Sequence, residues 1–536
     1  MANHPRPLIL IRGFGGPDLQ DEQRDVYQGF NNGTVYPECR GENYLYEGFV
    51  LRCLKSGRYP YRDATNVVGY YKQEMPAPQG LQAWPEHLLT GTVVIDVPMA
   101  EKVIARGRGV SGTLWVYRYY DLLPRTIQRF GEGLVRLIDI VEEGAKQAGE
   151  EFTGVDIVAH SMGGLVVRAA LKQLGKDGED RIHRIVTLGT PHHGIAFEYL
   201  PEELVNSLPI AARDEIAAFD PNRRDAQDIP FPRRRILTVV GTDFRTYGNK
   251  FASLGNRLST LGSEGSLAYN RSDGLVKQAS AQLPEAPRTF VHKCHGGRDS
   301  LVTSREAYEI AMRFFHGTHL VRLGLVRAEV KRGHDIFGKS EFYFGVRIKP
   351  RFVDFELFHQ SKEAENCYGP FHRDDFTDEL PDLAEELRRQ QLGDAPTGWA
   401  GPDRLIWEGW VDAAAKPAEA GGDESLVFRL DVYVGERDAF GVGFSDNVVF
   451  RKQYYVQAVP GGPDGELSLY LHTGETYLAP GVAPEQLHAA ADAESTEVQR
   501  MTPAGHHSPS SWTFGVGGTG FEADLSVSLT DERRPG

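Results

Sequence analysis

The chain has 536 residues, more than a single hydrophobic core usually serves, so two or more domains are expected. Its 40% hydrophobic and 25% charged residues exclude a fibrous, disordered or disulfide-dense protein. A formal net charge of -15 opposes binding to polyphosphate, which relies on Lys and Arg, so no nucleic-acid partner is expected.

The first element is Leu8 to Ile11, a continuous apolar run of the kind a buried strand requires. It runs into Arg12-Gly13-Phe14-Gly15-Gly16, a turn that glycine permits. Residues 17 to about 98 are rich in Tyr and Gly and only locally periodic, which reads as an insertion over the sheet edge. Its tyrosines would either line a pocket or serve ordinary packing. Within it, Asn43 to Lys55 places Tyr44, Leu45, Phe49, Cys53 and Leu54 near helical spacing. Regular alternation follows: a strand Thr113 to Tyr120, then a helix from about Pro124 to Ala148 with Ile127, Phe130, Leu134, Leu137, Ile138 and Val141 on one stripe. Next come the strand Val155 to Ala159, a sharp turn at His160-Ser161-Met162, and a helix carrying Leu165, Val166, Ala169, Ala170 and Leu174. Strands at Arg184 to Leu188, Arg235 to Val240 and Thr289 to Lys293, and a helix from about Ser300 to Phe315, complete the pattern of a mostly parallel sheet covered on both faces.

Beyond Thr318 the period changes to two. Segments such as Leu320 to Val330, Glu341 to Ile348, Leu426 to Val434, Val448 to Gln457, Glu466 to Leu471 and Phe521 to Leu529 predict an antiparallel β-sandwich, with one helix near residues 380–390. The expected division is therefore an α/β domain over 1–317 and a sandwich over 318–536. The four cysteines, Cys39, Cys53, Cys294 and Cys367, form no metal-ligand pattern. Cys39 and Cys53 would either pair or remain free thiols. The N-terminus shows no secretory signal, which points to the cytoplasm unless the chain is a processed form or leaves by another route. No apolar run approaches the roughly 20 residues of a membrane-spanning helix, so any lipid contact would be peripheral.

The sharpest motif is Ile157-Val158-Ala159-His160-Ser161-Met162-Gly163-Gly164, a strand that feeds a helix through a serine-centred turn. Such a turn lifts the hydroxyl out of the sheet, and small residues two positions to either side let backbone and helix approach. Ala159 stands where glycine is usual, at the cost of one methyl group. The Met162 N–H, at the helix N-terminus, faces a developing oxyanion. Serine needs a base, and the base an orienting acid. Downstream lie Ser272-Asp273-Gly274-Leu275-Val276 and Val291-His292-Lys293-Cys294-His295-Gly296-Gly297, in the order acid then base. Asp273 and His295 are the candidates, with Asp243 and His292 as their rivals. His192 and His193 precede the acid and read as turn residues.

Four pieces together resemble the bacterial true lipases of the Pseudomonas and Burkholderia type and related lipase-like hydrolases. They are Ile11 to Gly16, Ala159 to Gly164, Gly189-Thr190-Pro191-His192-His193-Gly194, and Asp273-Gly274-Leu275-Val276. The resemblance covers about the first three fifths of the chain. It implies an α/β-hydrolase sheet with flanking helices and an inserted cap. It also implies nucleophile Ser161, acid Asp273, base His295, and oxyanion N–H groups on Phe14 and Met162. Arg12 replaces the usual His of the oxyanion strand, and Gly297 occupies the place where a calcium-binding Asp would follow the base. Neither a metal nor an organic cofactor is therefore expected. Residues 195–232, with Leu200, Leu204, Leu208, Ile210 and Ile216, sit where lipases carry a lid and read equally as a packed cap. Asp335 to Tyr343 faintly resembles one loop of the calcium- and phospholipid-binding sandwiches of protein kinase C, with Glu341 and Phe342 where Asp and Pro are usual.

The implied activity is carboxylic-ester hydrolysis, by lipase or esterase, through an acyl-enzyme. A phospholipase or acyltransferase, an amidase or peptidase, and a non-catalytic binding protein acting through its sandwich remain as alternatives.

Overall fold

The computed structural model describes residues 5–13, 47–59, 65–68, 81, 83–107, 109–119, 126–193, 229–244, 272–283, 285–296, 299–330, 341–364, 366–371, 405–412, 426–437, 447–459, 467–478, 482–493, 496–504 and 510–532. Phe14, Cys39, Gly297, most of the 17–98 region, the cap over 195–228, residues 335–340 and the helix expected near 380–390 lie outside the described residues. Two compact units are present. Among the described residues, the first holds those up to 244 together with 272–287 and 293–308, and the second holds 288–292 and those from 309 onward.

In the first unit β1 (Leu8–Ile11), β2 (Thr65–Val68), β3 (Leu114–Arg118), β4 (Val155–His160), β5 (Ile182–Leu188) and β6 (Ile236–Gly241) form a sheet in the order β2-β3-β1-β4-β5-β6. Every adjacent pair is parallel. β1 and β4 are buried along their whole length; β1 accordingly reads as an unbroken apolar run, while β4 carries the buried polar residues Asp156 and His160 about the run Ile157 to Ala159. The helices of this unit include α1 (Glu47–Lys55), α2 (Val97–Gly107), α3 (Ile127–Ala148) and α4 (Met162–Leu174). α3 begins where Thr126 accepts the Arg129 N–H at 3.1 Å and ends at Gly149 in the left-handed conformation. The stripe from Ile127 to Val141 is buried and shares one core with Ile9, Ile157 and Val166.

The region over 17–98 is more than a cover on the sheet edge. β2 lies within it and pairs in parallel with β3, so this stretch supplies the edge strand itself. A four-residue strand is too short to display a period, and α2 was likewise not anticipated.

The expected last strand and helix are β7 (Arg288–Val291) and α5 (Arg305–His316). The second unit carries β8 (His319–Val330), β9 (Glu341–Pro350), β10 (Phe358–His359), β11 (Tyr368–Phe371), β12 (Leu405–Val411), β13 (Leu426–Arg437), β14 (Val448–Val459), β15 (Ser468–His472), β16 (Val498–Arg500), β17 (Thr502–Pro503), β18 (Ser511–Gly517) and β19 (Phe521–Asp531), with α6 (Pro484–Asp492) between β15 and β16. One antiparallel sheet runs β10-β9-β13-β14-β15-β16, with β11 also on β9, and the other runs β12-β8-β19-β18-β17. Their inner faces meet through aromatic rings: Phe521 of β19 lies 6.0 Å from Phe344 of β9 and 5.5 Å from Phe450 of β14. β19 alternates buried and half-buried residues, the period expected of a sandwich strand.

Candidate active site

Three loops at the C-terminal ends of the sheet strands build the site. Between β4 and α4 the chain turns at Ser161, whose φ of 53° and ψ of -128° are unusual for a side-chain-bearing residue. The turn is held because the Ser161 N–H donates to the Leu188 carbonyl at 2.9 Å. Its tightness also rests on two close approaches. A Cβ on Gly13, just after β1, would stand 2.4 Å from the Ser161 Cβ and 3.0 Å from its hydroxyl. A Cβ on Gly163 would stand 2.7 Å from the Ile11 and Arg12 carbonyls, so the first turn of α4 rests directly on the end of β1. Strain of this kind costs on the order of 1–3 kcal/mol and persists only where neighbours over-determine it.

The second loop follows β6 at some distance in sequence. Asp273 is 1% exposed, and its Oδ1 accepts the N–H groups of Val276 at 2.7 Å and Leu275 at 3.1 Å. The bridge between Ser272 and Lys277 closes this turn, which explains the Asp-Gly-Leu-Val run. The third loop lies beyond β7. The Cys294 N–H donates to the Asp299 carbonyl at 3.1 Å and the Leu301 N–H to the Cys294 carbonyl at 2.9 Å, closing a small loop that carries His295.

These loops bring Ser161, His295 and Asp273 into one chain of hydrogen bonds. His295 Nδ1 lies 2.8 Å from Asp273 Oδ2, and His295 Nε2 lies 2.8 Å from Ser161 Oγ. A carboxylate only accepts, so Nδ1 carries the ring proton, and bare Nε2 is left to accept from the hydroxyl. All three side chains are buried. The rivals fall elsewhere: His292 stacks on His359 in the second unit, and the Asp243 N–H donates to the Lys293 carbonyl while the His295 ring bonds Asp273.

Met162 opens α4 directly after Ser161, so its N–H is among the helix donors that have no intrahelical acceptor. The other expected oxyanion donor, Phe14, lies outside the described residues, although Gly13 beside it touches Ser161. Arg12 is buried, and its carbonyl accepts the Tyr119 hydroxyl at 2.9 Å.

His192 and His193 are buried, as turn residues would be. His192 Nε2 bonds Thr187 Oγ1 at 3.1 Å, and burial beside Arg168 pushes the His193 ring pKa down to about 3. Sequence reasoning singled out no contact of His160. Its only signal was adjacency to the serine, yet its Nε2 lies 2.9 Å from the His295 carbonyl oxygen. Among the described residues no group of three His, Cys, Asp or Glu is placed to hold a metal ion.

Residues 121–203 match the family model of the PGAP1-like alpha/beta domain. This stretch contains β4, the Ser161 turn, α4 and β5. No curated protein matches the sequence. Among solved structures, a gene product of Listeria innocua is 14% identical with a TM-score of 0.31, covering 58% of this chain and 94% of its own. Phospholipase PlaB of Legionella pneumophila is 12% identical with a TM-score of 0.30, covering 65% of this chain and 85% of its own. The first unit is an α/β-hydrolase core, and two antiparallel sheets follow it.

Proposed function

We propose that the protein is a serine hydrolase that cleaves carboxylic esters. The observation that carries this reading is the unbroken chain from Ser161 Oγ through His295 to the Asp273 carboxylate, set on a strained turn at the start of a helix. In the proposed reaction Ser161 Oγ attacks the ester carbonyl carbon while His295 Nε2 takes the hydroxyl proton. The tetrahedral oxyanion is met by the Met162 N–H, aided by the dipole of α4, and by the Phe14 N–H that the family resemblance implies; each such donor is worth about 3 kcal/mol of barrier. His295 then gives the proton to the departing alkoxide, leaving an acyl-Ser161 ester. A water molecule attacks this ester, its proton passing to Nε2 and on to Ser161. Asp273 keeps the ring in the required tautomer and offsets the imidazolium charge throughout.

The substrate class proposed is an acyl ester, with lipid esters included. Hydrolysis of p-nitrophenyl esters from acetate to palmitate, for wild type beside Ser161→Ala, tests the reading. Turnover by wild type that vanishes in S161A supports it, and the chain-length optimum separates esterase from lipase. Equal turnover by both proteins would end it.

A further inference from the structure

His160 ends β4 and is 7% exposed, next to the serine in sequence but turned toward the base. Its Nε2 lies 2.9 Å from the main-chain carbonyl oxygen of His295, and the two rings sit 4.8 Å apart, tilted by 38°. A carbonyl has no proton to give, so His160 Nε2 must donate. Burial, with His295 and Arg12 nearby, holds the His160 ring pKa well below its usual value, so that single N–H belongs to a neutral ring.

We infer that His160 is a positioning residue for the base: its Nε2–H clamps the His295 carbonyl and thereby fixes the imidazole against Ser161. This rests on the ester-hydrolase reading above. His295 is held at four points. Its N–H donates to the Asp273 carbonyl at 2.8 Å, its carbonyl accepts from His160, and its two ring nitrogens engage Asp273 and Ser161. Of these, the His160 bond is the only one from a side chain to the main chain of His295, and it ties the nucleophile's strand to the base's loop. Gly296 follows immediately, and its carbonyl accepts the Cys294 thiol at 2.8 Å, so the His160 bond and this thiol contact grip the two carbonyls on either side of that glycine. The donor is neutral. A Lys or Arg in its place would hold the same carbonyl but set a positive charge beside the imidazolium that forms during attack.

The test compares His160→Phe, which removes the donor, with His160→Gln, whose amide N–H reaches about as far as Nε2. Initial rates on the best p-nitrophenyl ester and the rate of Ser161 labelling by a fluorophosphonate are measured on the full chain. Misplacing a reacting group by about 1 Å costs up to roughly 100-fold. H160F should therefore lose about tenfold to 100-fold in kcat and in labelling rate with KM within about twofold, whereas H160Q should stay within about fivefold of wild type. Folded H160F with wild-type kcat, or H160Q as impaired as H160F, would overturn the clamp. The nitrogen-15 spectrum of wild-type histidines gives a check that needs no variant. It should show His160 as the neutral Nε2–H tautomer, and an Nδ1–H tautomer would also overturn the proposal. If wild type neither turns over an ester nor is labelled at Ser161, the ester-hydrolase reading itself fails and takes the clamp's catalytic purpose with it.

Discussion

Replacing Asp273 by Asn keeps the shape of the side chain and changes only where protons sit, which makes it the sharpest test of the site. Asp273 Oδ1 accepts two backbone N–H groups, from Val276 at 2.7 Å and Leu275 at 3.1 Å, while Oδ2 accepts from His295 Nδ1 at 2.8 Å. In Asp273→Asn the amide oxygen must stay with the two N–H donors. Turning it round would set an NH2 against both and leave buried donors unpaired, at about 1–3 kcal/mol each. The NH2 therefore faces Nδ1, which has to present a lone pair, and the ring proton moves to Nε2. His295 would then point a proton at Ser161 Oγ and have no lone pair with which to accept one. Forcing the wrong tautomer in a triad of this kind lowers kcat about 10⁴-fold, or about 5 kcal/mol of barrier, with KM little changed. The assay is kcat on a p-nitrophenyl ester, with a thermal melt to show that D273N is folded. A folded D273N within tenfold of wild type, alongside an inactive S161A, would remove Asp273 from the acid role.

Ser161→Gly should be inactive yet more stable, because glycine relieves the φ of 53°. A gain of about 1 kcal/mol would raise the melting transition by roughly 2–4 °C, and a lowered transition would show that the turn is not strained. Burial pushes the Cys53 thiol pKa up, so this thiol should resist iodoacetamide in the native protein and react only after denaturation, as peptide mass spectrometry would report. His472 of β15 is fully buried, neither ring nitrogen has a hydrogen-bond partner among the described residues, and burial lowers its pKa to about 4. Unfolding frees this ring to take up a proton at its ordinary value near 6.5, so it costs nothing above that pH and destabilises progressively as pH falls from 6.5 toward 4. By pH 5 the loss is about 2 kcal/mol. His472→Leu should therefore lose less stability than wild type between pH 7.5 and 5 in urea titrations, and equal losses would refute the assignment.

The parts of the fold that were legible in the sequence are those whose burial is one-sided or complete. β1, buried on both faces, appears as an apolar run, β4 through the run Ile157 to Ala159 ahead of the serine turn, and α3 through the stripe from Ile127 to Val141. β2 and β12 were missed for different reasons. β2 has four residues, and β12, Leu405–Val411, although buried at six of its seven positions, carries Glu408 and Gly409 between its tryptophans, which interrupts the apolar run. The buried Glu408 in that run pairs with Arg322 of β8, a contact 86 residues away that no local pattern announces.

The same distinction runs through the site. Ser161 and Met162 were legible because strand, turn and helix are consecutive, and Asp273 because its carboxylate binds the N–H groups two and three residues further on. His160 was not, since its partner is the carbonyl of residue 295, and a main-chain acceptor leaves no mark on the composition around it. Its neighbour in the motif has the opposite character: the Ser161 hydroxyl faces a side chain, and that side chain, His295, has to be a histidine for the chain of bonds to close. Partners close in sequence, as around Asp273, leave a local pattern, whereas a side chain that grips backbone 135 residues away, as His160 does, constrains only itself. A sequence-readable active site will therefore under-report the residues that hold its loops in place, and His160 is where that deficit falls in this protein.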